Sequence, residues 1–313
     1  MAIGHTHRRP LLVTAVTSVL ALTLAACGGD TGEGEGVDPG TAQTREVTHA
    51  RGETQVPADP QRIVVLEPVQ LDTAVALGTL PVGTAVLSEA TGVPPYLGEE
   101  AAAIETVGTI TEPSLERIAA LDPDLILGTE SRHADLYDEL SAIAPTVFMA
   151  SQADPWPDNV ALVGRALGAE TEAQGLLDRY QARCAELAEE HGTAGMTAQL
   201  IRPREGLLTL YGPTSFAGST LECAGFTTPP RDWQDSISVD LSPELVLEAK
   251  ADQVFVTAVD PADPAAIPPA VAAVRAEAFP QLHLVDQSFW ITGVGPAGGM
   301  AVLDDLDRIL SGA

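Results

Sequence analysis

The chain repeats itself once, and that repeat limits the possible folds more than any other feature of its 313 residues. In the first half "LERIAALDPDLILG" (115–128) runs from helix to turn to strand, and in the second "PELVLEAKADQVFV" (243–256) does the same. With Glu116 laid on Glu244, Asp124 falls on Asp252, Ile126 on Val254 and Leu127 on Phe255 without a gap. Leu125, Ile126 and Leu127 form the unbroken apolar run of a strand covered on both faces, as in a parallel sheet. Each helix starts alike, with Pro113 or Pro243 near its first turn behind Thr111 or Ser242 as cap. A looser pair, "RIVVLEPVQLDTAVALG" (62–78) and "GLLTLYGPTSFAGSTLECAG" (206–225), reads as strand, loop and helix closed by Gly78 or Gly225. Each half therefore predicts a small α/β unit with its own sheet.

Between the halves, "GAETEAQGLLDRYQARCAELAEEHG" (168–192) places Leu176, Leu177, Tyr180, Cys184 and Leu187 at helical spacing, bracketed by Gly168 and Gly192. A helix of about 22 residues is roughly 33 Å long, a stiff spine between two lobes. The expected organisation is an N-terminal lobe over 46–167, a connecting helix over 168–192 and a C-terminal lobe over 193–313.

Residues 1–26 carry Arg8 and Arg9 and then the apolar run from Leu11 to Ala26. Sixteen residues span about 24 Å as a helix, short of the roughly 30 Å hydrocarbon core, so this reads as an export signal rather than a membrane span. "LAAC" resembles a bacterial lipobox, which makes Cys27 the expected acylated first residue of the mature chain. Residues 27–45, acidic and almost free of large apolar side chains, read as a flexible tether. The net charge is −28, with 16 basic against 44 acidic residues, which argues against nucleic acid as a partner. Lys250 is the only lysine. Cys184 and Cys223 fall in predicted helices and are compatible with one disulfide or with two buried thiols.

Ligands of α/β sheets bind beyond the carboxyl ends of strands. Those ends predict a cleft from Glu67–Gln70, Thr129–His133, Tyr211–Phe216, Thr257–Asp260 and Ser288–Trp290, with loops carrying Trp156, Arg231 and Trp233 in reach. Four histidines follow the signal segment, at 49, 133, 191 and 283, too scattered for a bare-metal receptor. "GVGPAG" (293–298) has the glycines of a dinucleotide fingerprint but stands too near the C-terminus for the βαβ unit it requires. No nucleophile elbow or phosphate loop recommends an enzyme.

Over residues 46–310 the chain resembles the iron-siderophore and cobalamin type of periplasmic substrate-binding protein, the receptor of an ABC importer. "HARGETQVPADPQRIVVL" (49–66), "SLERIAALDPDLILG" (114–128) and "WITGVGPAGGMAVLDDL" (290–306) carry the likeness, and "GTESRHADLYDELSAIAPTVF" (128–148) is similar to the branch for ferric hydroxamate or carboxylate siderophores. The resemblance implies an α/β fold of two Rossmann-like lobes joined by one long helix, with the ligand cleft between the lobes. It implies a receptor at the extracellular face of the cytoplasmic membrane, lipid-anchored at Cys27, with no cofactor and with iron arriving only as a chelated ferric siderophore. It also implies that Glu116 and Glu244 dock on the ABC permease; a Glu near a helix N-terminus otherwise serves the helix dipole.

For such a ligand Arg132 is the first candidate for the iron-proximal oxygens, since Arg grips carboxylates bidentately. Arg231 is its candidate partner from the other lobe, His133 a further contact, and Trp233, Trp290 and Tyr211 are candidate walls. The plain alternatives are that Arg132 pairs with Glu130 or Asp135, that His133 only opens a helix, that Trp156 is core, and that Arg202 and Arg204 are surface. Cobalamin, or haem with His133 or Tyr211 as axial ligand, is the alternative cargo, and a lipid-anchored surface enzyme the alternative class.

Overall fold

The computed structural model of the protein describes residues 43–312. The export signal, Cys27 and most of the expected tether lie outside the described residues. The chain opens with a hairpin, β1 (Thr44–His49) paired with β2 (Gly52–Pro57), two residues inside the stretch expected as tether.

The first lobe is a five-stranded, all-parallel sheet. It comprises β3 (Ile63–Val65), β4 (Gly83–Val86), β5 (Glu105–Thr109), β6 (Leu125–Thr129) and β7 (Thr146–Met149), in the order β5-β4-β3-β6-β7. Its helices are α1 (Pro68–Ala76), α2 (Leu115–Ala120), α3 (Glu130–His133), α4 (Tyr137–Ile143) and α5 (Trp156–Leu167). Every residue of β3, β6 and β7 is buried, as two-sided cover demands. The Arg45 guanidinium donates to the carbonyls of Arg165 at 2.8 Å and Ala166 at 2.5 Å, which fixes the opening hairpin to the end of α5.

The predicted spine is α6 (Glu170–His191), 22 residues closed by Gly192 in the left-handed conformation at φ 61°. Its buried Ala173, Tyr180, Cys184 and Leu187 make one stripe. That stripe belongs to a continuous core running from Val69 and Met149 of the first lobe to Phe255, Trp290 and Val302 of the second.

The second lobe contains β8 (Ala198–Arg204), β9 (Leu207–Tyr211), β10 (Ser238–Leu241), β11 (Gln253–Ala258) and β12 (Leu282–Asp286), in the order β10-β9-β8-β11-β12. Here β8, β11 and β12 are parallel, whereas β9 pairs antiparallel with both β8 and β10. Its helices are α7 (Phe216–Cys223), α8 (Pro269–Ala278), α9 (Gln287–Trp290) and α10 (Pro296–Leu310). Cys184 of α6 and Cys223 of α7 form a disulfide with Cα atoms 5.4 Å apart, resolving the open alternative. Among the described residues no helix is long and apolar enough to cross a membrane.

The repeat is real in β6 and β11, and it extends to their neighbours in a way the looser sequence match misplaces. Asp124 accepts from the backbone N–H of Gln61 and Arg62 at the start of β3, at 2.7 and 2.9 Å. Asp252 accepts from the N–H and hydroxyl of Thr197 just before β8, at 2.7 and 2.8 Å. The counterpart of β3 is thus β8, not β9. Glu205 and Gly206, both at positive φ (52° and 81°), turn the second lobe into a hairpin that the first lobe lacks.

The two repeat helices also differ. Ser114, not Thr111, caps α2 by accepting from Arg117 N at 3.3 Å. Pro243–Ala249 is a 3-10 segment broken at Leu245 and without a side-chain cap from Ser242. It buries only Val246 and Ala249 while Leu245 and Leu247 stay exposed, too narrow an apolar stripe to hold an α-helix on the sheet.

The C-terminal α10 packs back onto α1. Asp72 of α1, fully buried, accepts from the N–H groups of Ala297 and Gly298 at 2.8 Å each and from the Tyr96 hydroxyl at 2.9 Å. Burial pushes its carboxyl up to about 7 against the pull of these bonds. Gly295 has φ 145°, and a Cβ there would meet the Asp72 carboxylate at 2.3 Å. Gly295 of "GVGPAG" therefore admits a carboxylate from the opposite lobe to a helix N-terminus.

Candidate functional site

The strand ends of both lobes converge on a cavity of about 200 Å³ whose lining includes Glu67, Arg132, Trp156, Arg202, Tyr211 and Trp290. The first lobe brings Glu67 from the end of β3 and Arg132 from α3 after β6. The second brings Arg202 from β8 and Tyr211 from β9. The two arginines thus enter from opposite lobes.

Arg132 pairs with neither Glu130 nor Asp135 but lies with Nε 3.4 Å from Glu67 Oε1, while Glu130 is taken by Arg51 at 2.5 Å. The Glu67 side chain is 1% exposed, and its Oε1 has no hydrogen-bond partner among the described residues. Burial pushes its carboxyl up to about 7, and the nearby Arg132 charge only partly offsets that. Arg132 itself remains about a third exposed to the cavity. The arrangement holds a cation ready for an anionic guest and beside it a carboxyl that exchanges its proton near neutrality.

His133 is placed differently from the expectation that gave it to the ligand. Its ring is buried, Nδ1 accepts from Thr129 N at 3.1 Å and Nε2 faces Ile110 O at 2.8 Å. Both nitrogens are therefore used in the neutral Nε2–H tautomer, and burial pushes its pKa below the ordinary value. The same contacts remove it as an axial ligand for haem. What His133 does is brace the turn that presents Arg132.

Arg231 and Trp233 also lie outside the cavity lining. Arg231 donates to Glu248 O at 2.6 Å and sits over the Trp233 ring, 5.9 Å from its centroid. Trp233 packs on Gly212, where a Cβ would meet its ring at 2.8 Å. The Pro-rich loop folds back on the 3-10 segment instead of reaching inward. The cationic place in the second lobe belongs to Arg202, whose Nη1 donates to the Tyr211 hydroxyl at 3.4 Å. In the sequence Arg202 falls at a strand edge or hairpin, which favours the surface but leaves the cleft open to it. The usable signal was its position in β8, one residue beyond the buried Leu200 and Ile201 at a carboxyl strand end.

Trp290 and Trp156 form the floor and are at once core and wall. Trp290 is fully buried, stacks on Phe255 at 4.9 Å and donates Nε1–H to Asp305 at 2.9 Å. Trp156 meets Tyr180 and Phe216 edge-on at 5.0 and 5.8 Å. Glu116 and Glu244 are both exposed in the first turns of their segments.

Comparison with known proteins places this geometry. Residues 63–266 match the family described as "Periplasmic binding protein". The chain is 34% identical over 212 residues to the probable siderophore-binding lipoprotein YfiY of Bacillus subtilis, covering 67% of this chain and 65% of that one. It is 34% identical over 173 residues to the Fe(3+) dicitrate-binding periplasmic protein FecB of Escherichia coli, covering 54% of this chain and 57% of that protein. The matched stretches thus span under two thirds of the length of these two relatives. Among solved structures, Staphylococcus aureus SirA complexed with staphyloferrin B superposes with a TM-score of 0.71 at 28% identity, over 86% of this chain and 99% of that one. These are binding proteins rather than enzymes, in agreement with the two-lobed α/β fold and its interlobe cleft, and the chain belongs to the periplasmic binding protein family.

Proposed function

We propose that this protein captures a ferric siderophore outside the cytoplasmic membrane and delivers it to an ABC import permease. The observation that carries the reading is the pair Arg132 and Arg202, one from each lobe, lining a single cleft floored by Trp156 and Trp290. Two guanidinium groups suit carboxylate oxygens around a ferric centre better than neutral hydroxamate oxygens, so the ligand is a carboxylate-type chelate. The dicitrate-binding relative supports that choice. The cargo carries its own iron, and the protein needs no resident cofactor.

The chain is held at the outer face of the membrane by a lipid on Cys27, as the lipobox-like "LAAC" suggests. Glu116 and Glu244, exposed and equivalent in the repeat, meet the permease. Tryptophan fluorescence of the mature domain, titrated with a ferric citrate-type siderophore, ferrioxamine, cobalamin and haem, tests the reading. Saturable quenching by the ferric citrate-type chelate is expected. Binding of cobalamin or haem alone would keep the fold and reject the ligand.

A further inference from the structure

A second cavity of about 320 Å³ adjoins the cleft and shares with it Pro68, Leu87, Ile110, Arg202, Ile291 and Thr292. Its character is different. The inner wall is built of Leu71, Ala85, Val86 and Ile110, each no more than 4% exposed. Tyr96 turns its hydroxyl away to Asp72, leaving the ring for the wall. Of the two charged groups in the lining, Asp286 caps α9 by accepting from Ser288 N at 2.8 Å, and Arg202 stands on the boundary with the cleft.

The mouth is also apolar. Leu87 is 56% and Val259 80% exposed, and they frame it from opposite lobes, at the ends of β4 and β11. Among the described residues five large hydrophobic side chains are 43% exposed or more, and the two most exposed meet here. On a chain with net charge −28 this apolar patch has no solubilising role.

We propose that this pouch takes an apolar arm of the siderophore, so that the true ligand is amphiphilic: an anionic ferric head between Arg132 and Arg202 and a hydrocarbon or aromatic arm running past Ile110 and Ile291. The inference rests on the ferric-siderophore reading and narrows it. Continuity of the two cavities is what commits the pouch to the ligand, since an arm leaving a head at Arg202 enters it without crossing solvent. Each methylene buried there tightens binding roughly fourfold.

The test uses two ferric citrate-type chelates that differ only in an amide arm, methyl in one and a chain of about six carbons in the other. Both are titrated by tryptophan fluorescence into the wild type, Val259→Asn and Thr91→Gln, two exposed pouch positions outside the cleft lining whose replacements add polarity without charge. The long-armed chelate is expected to bind the wild type at least tenfold tighter, and both substitutions are expected to remove that advantage while leaving the methyl chelate unchanged. Equal binding of the two chelates by the wild type, or an advantage that survives both substitutions, would overturn the pouch and leave the receptor reading standing. Failure of both chelates to bind at all would remove the receptor reading and this inference with it.

Discussion

The two lobes share a repeated strand-and-turn pattern, yet they present their arginines by different means. In the first lobe strand β6 of an all-parallel sheet ends and the chain turns into α3, with Arg132 held on a turn that buried His133 braces from beneath. In the second lobe Arg202 projects from β8 itself, which continues past the sheet core into a hairpin with β9. Among the described residues only the first lobe sets a buried carboxyl beside its cleft arginine. The repeat thus keeps the strands that carry the sheet, while the elements that line the cleft differ between the lobes.

The largest expected effect tests what the lobes still share. Replacing both Glu116 and Glu244 by Ala should reduce siderophore uptake by cells to background, with ligand affinity of the purified domain unchanged. Because Glu116 sits on a capped α-helix and Glu244 on a 3-10 segment, the single variants should differ, and equal transport in all of them would end the docking assignment.

The Cys184–Cys223 bond, which joins the spine to the second lobe alone, comes next. Cys184→Ser should cost about 2–4 kcal/mol in denaturant unfolding, since the bond closes a loop of sequence separation 39. Little change in the unfolding midpoint would show that the interlobe core holds α7 by itself.

Gly295→Ala probes the seam. It places a methyl against the Asp72 carboxylate at a φ of 145°, and a loss of roughly 2 kcal/mol is expected. An unchanged midpoint would remove Asp72 as an interlobe tie.

The smallest effect concerns Glu67, the residue without a counterpart in the second lobe. Its carboxyl titrates near 7, raised by burial, and an anionic ligand at Arg132 favours the protonated form further. Affinity should therefore be flat below pH about 7 and fall above it, by up to about tenfold per pH unit, as binding comes to require uptake of a proton. Glu67→Gln should flatten that profile, and an unchanged slope would assign the pH dependence to another group.

Much of the architecture was legible because it rests on local pattern. The apolar runs of β6 and β11 and the stripe Tyr180, Cys184 and Leu187 on α6 each announce an element without knowledge of the rest. What the sequence hid depends on long-range placement. The hairpin at Glu205–Gly206 looks like any loop until β9 is seen to turn back, and that turn is what makes β8 the partner of β11. Arg231 and Arg202 are alike as residue types, and only the tertiary path of the Pro-rich loop separates the one bound to Glu248 from the one in the cleft. Glu67 stands at a predicted strand end, but its burial against Arg132 depends on how two separate loops pack and shows in no local pattern.

The proposed ligand is an anionic ferric chelate gripped by one arginine from each lobe. A double-mutant cycle with Arg132→Ala and Arg202→Ala, titrated with a ferric citrate-type siderophore, tests it most directly. Each loss should weaken binding by about 10–100-fold, as charge-assisted hydrogen bonds worth about 1.5–3 kcal/mol disappear, and the two should couple because they hold one head. Wild-type affinity in either single variant would contradict the account, and losses that simply add would show that the two lobes do not share the ferric head.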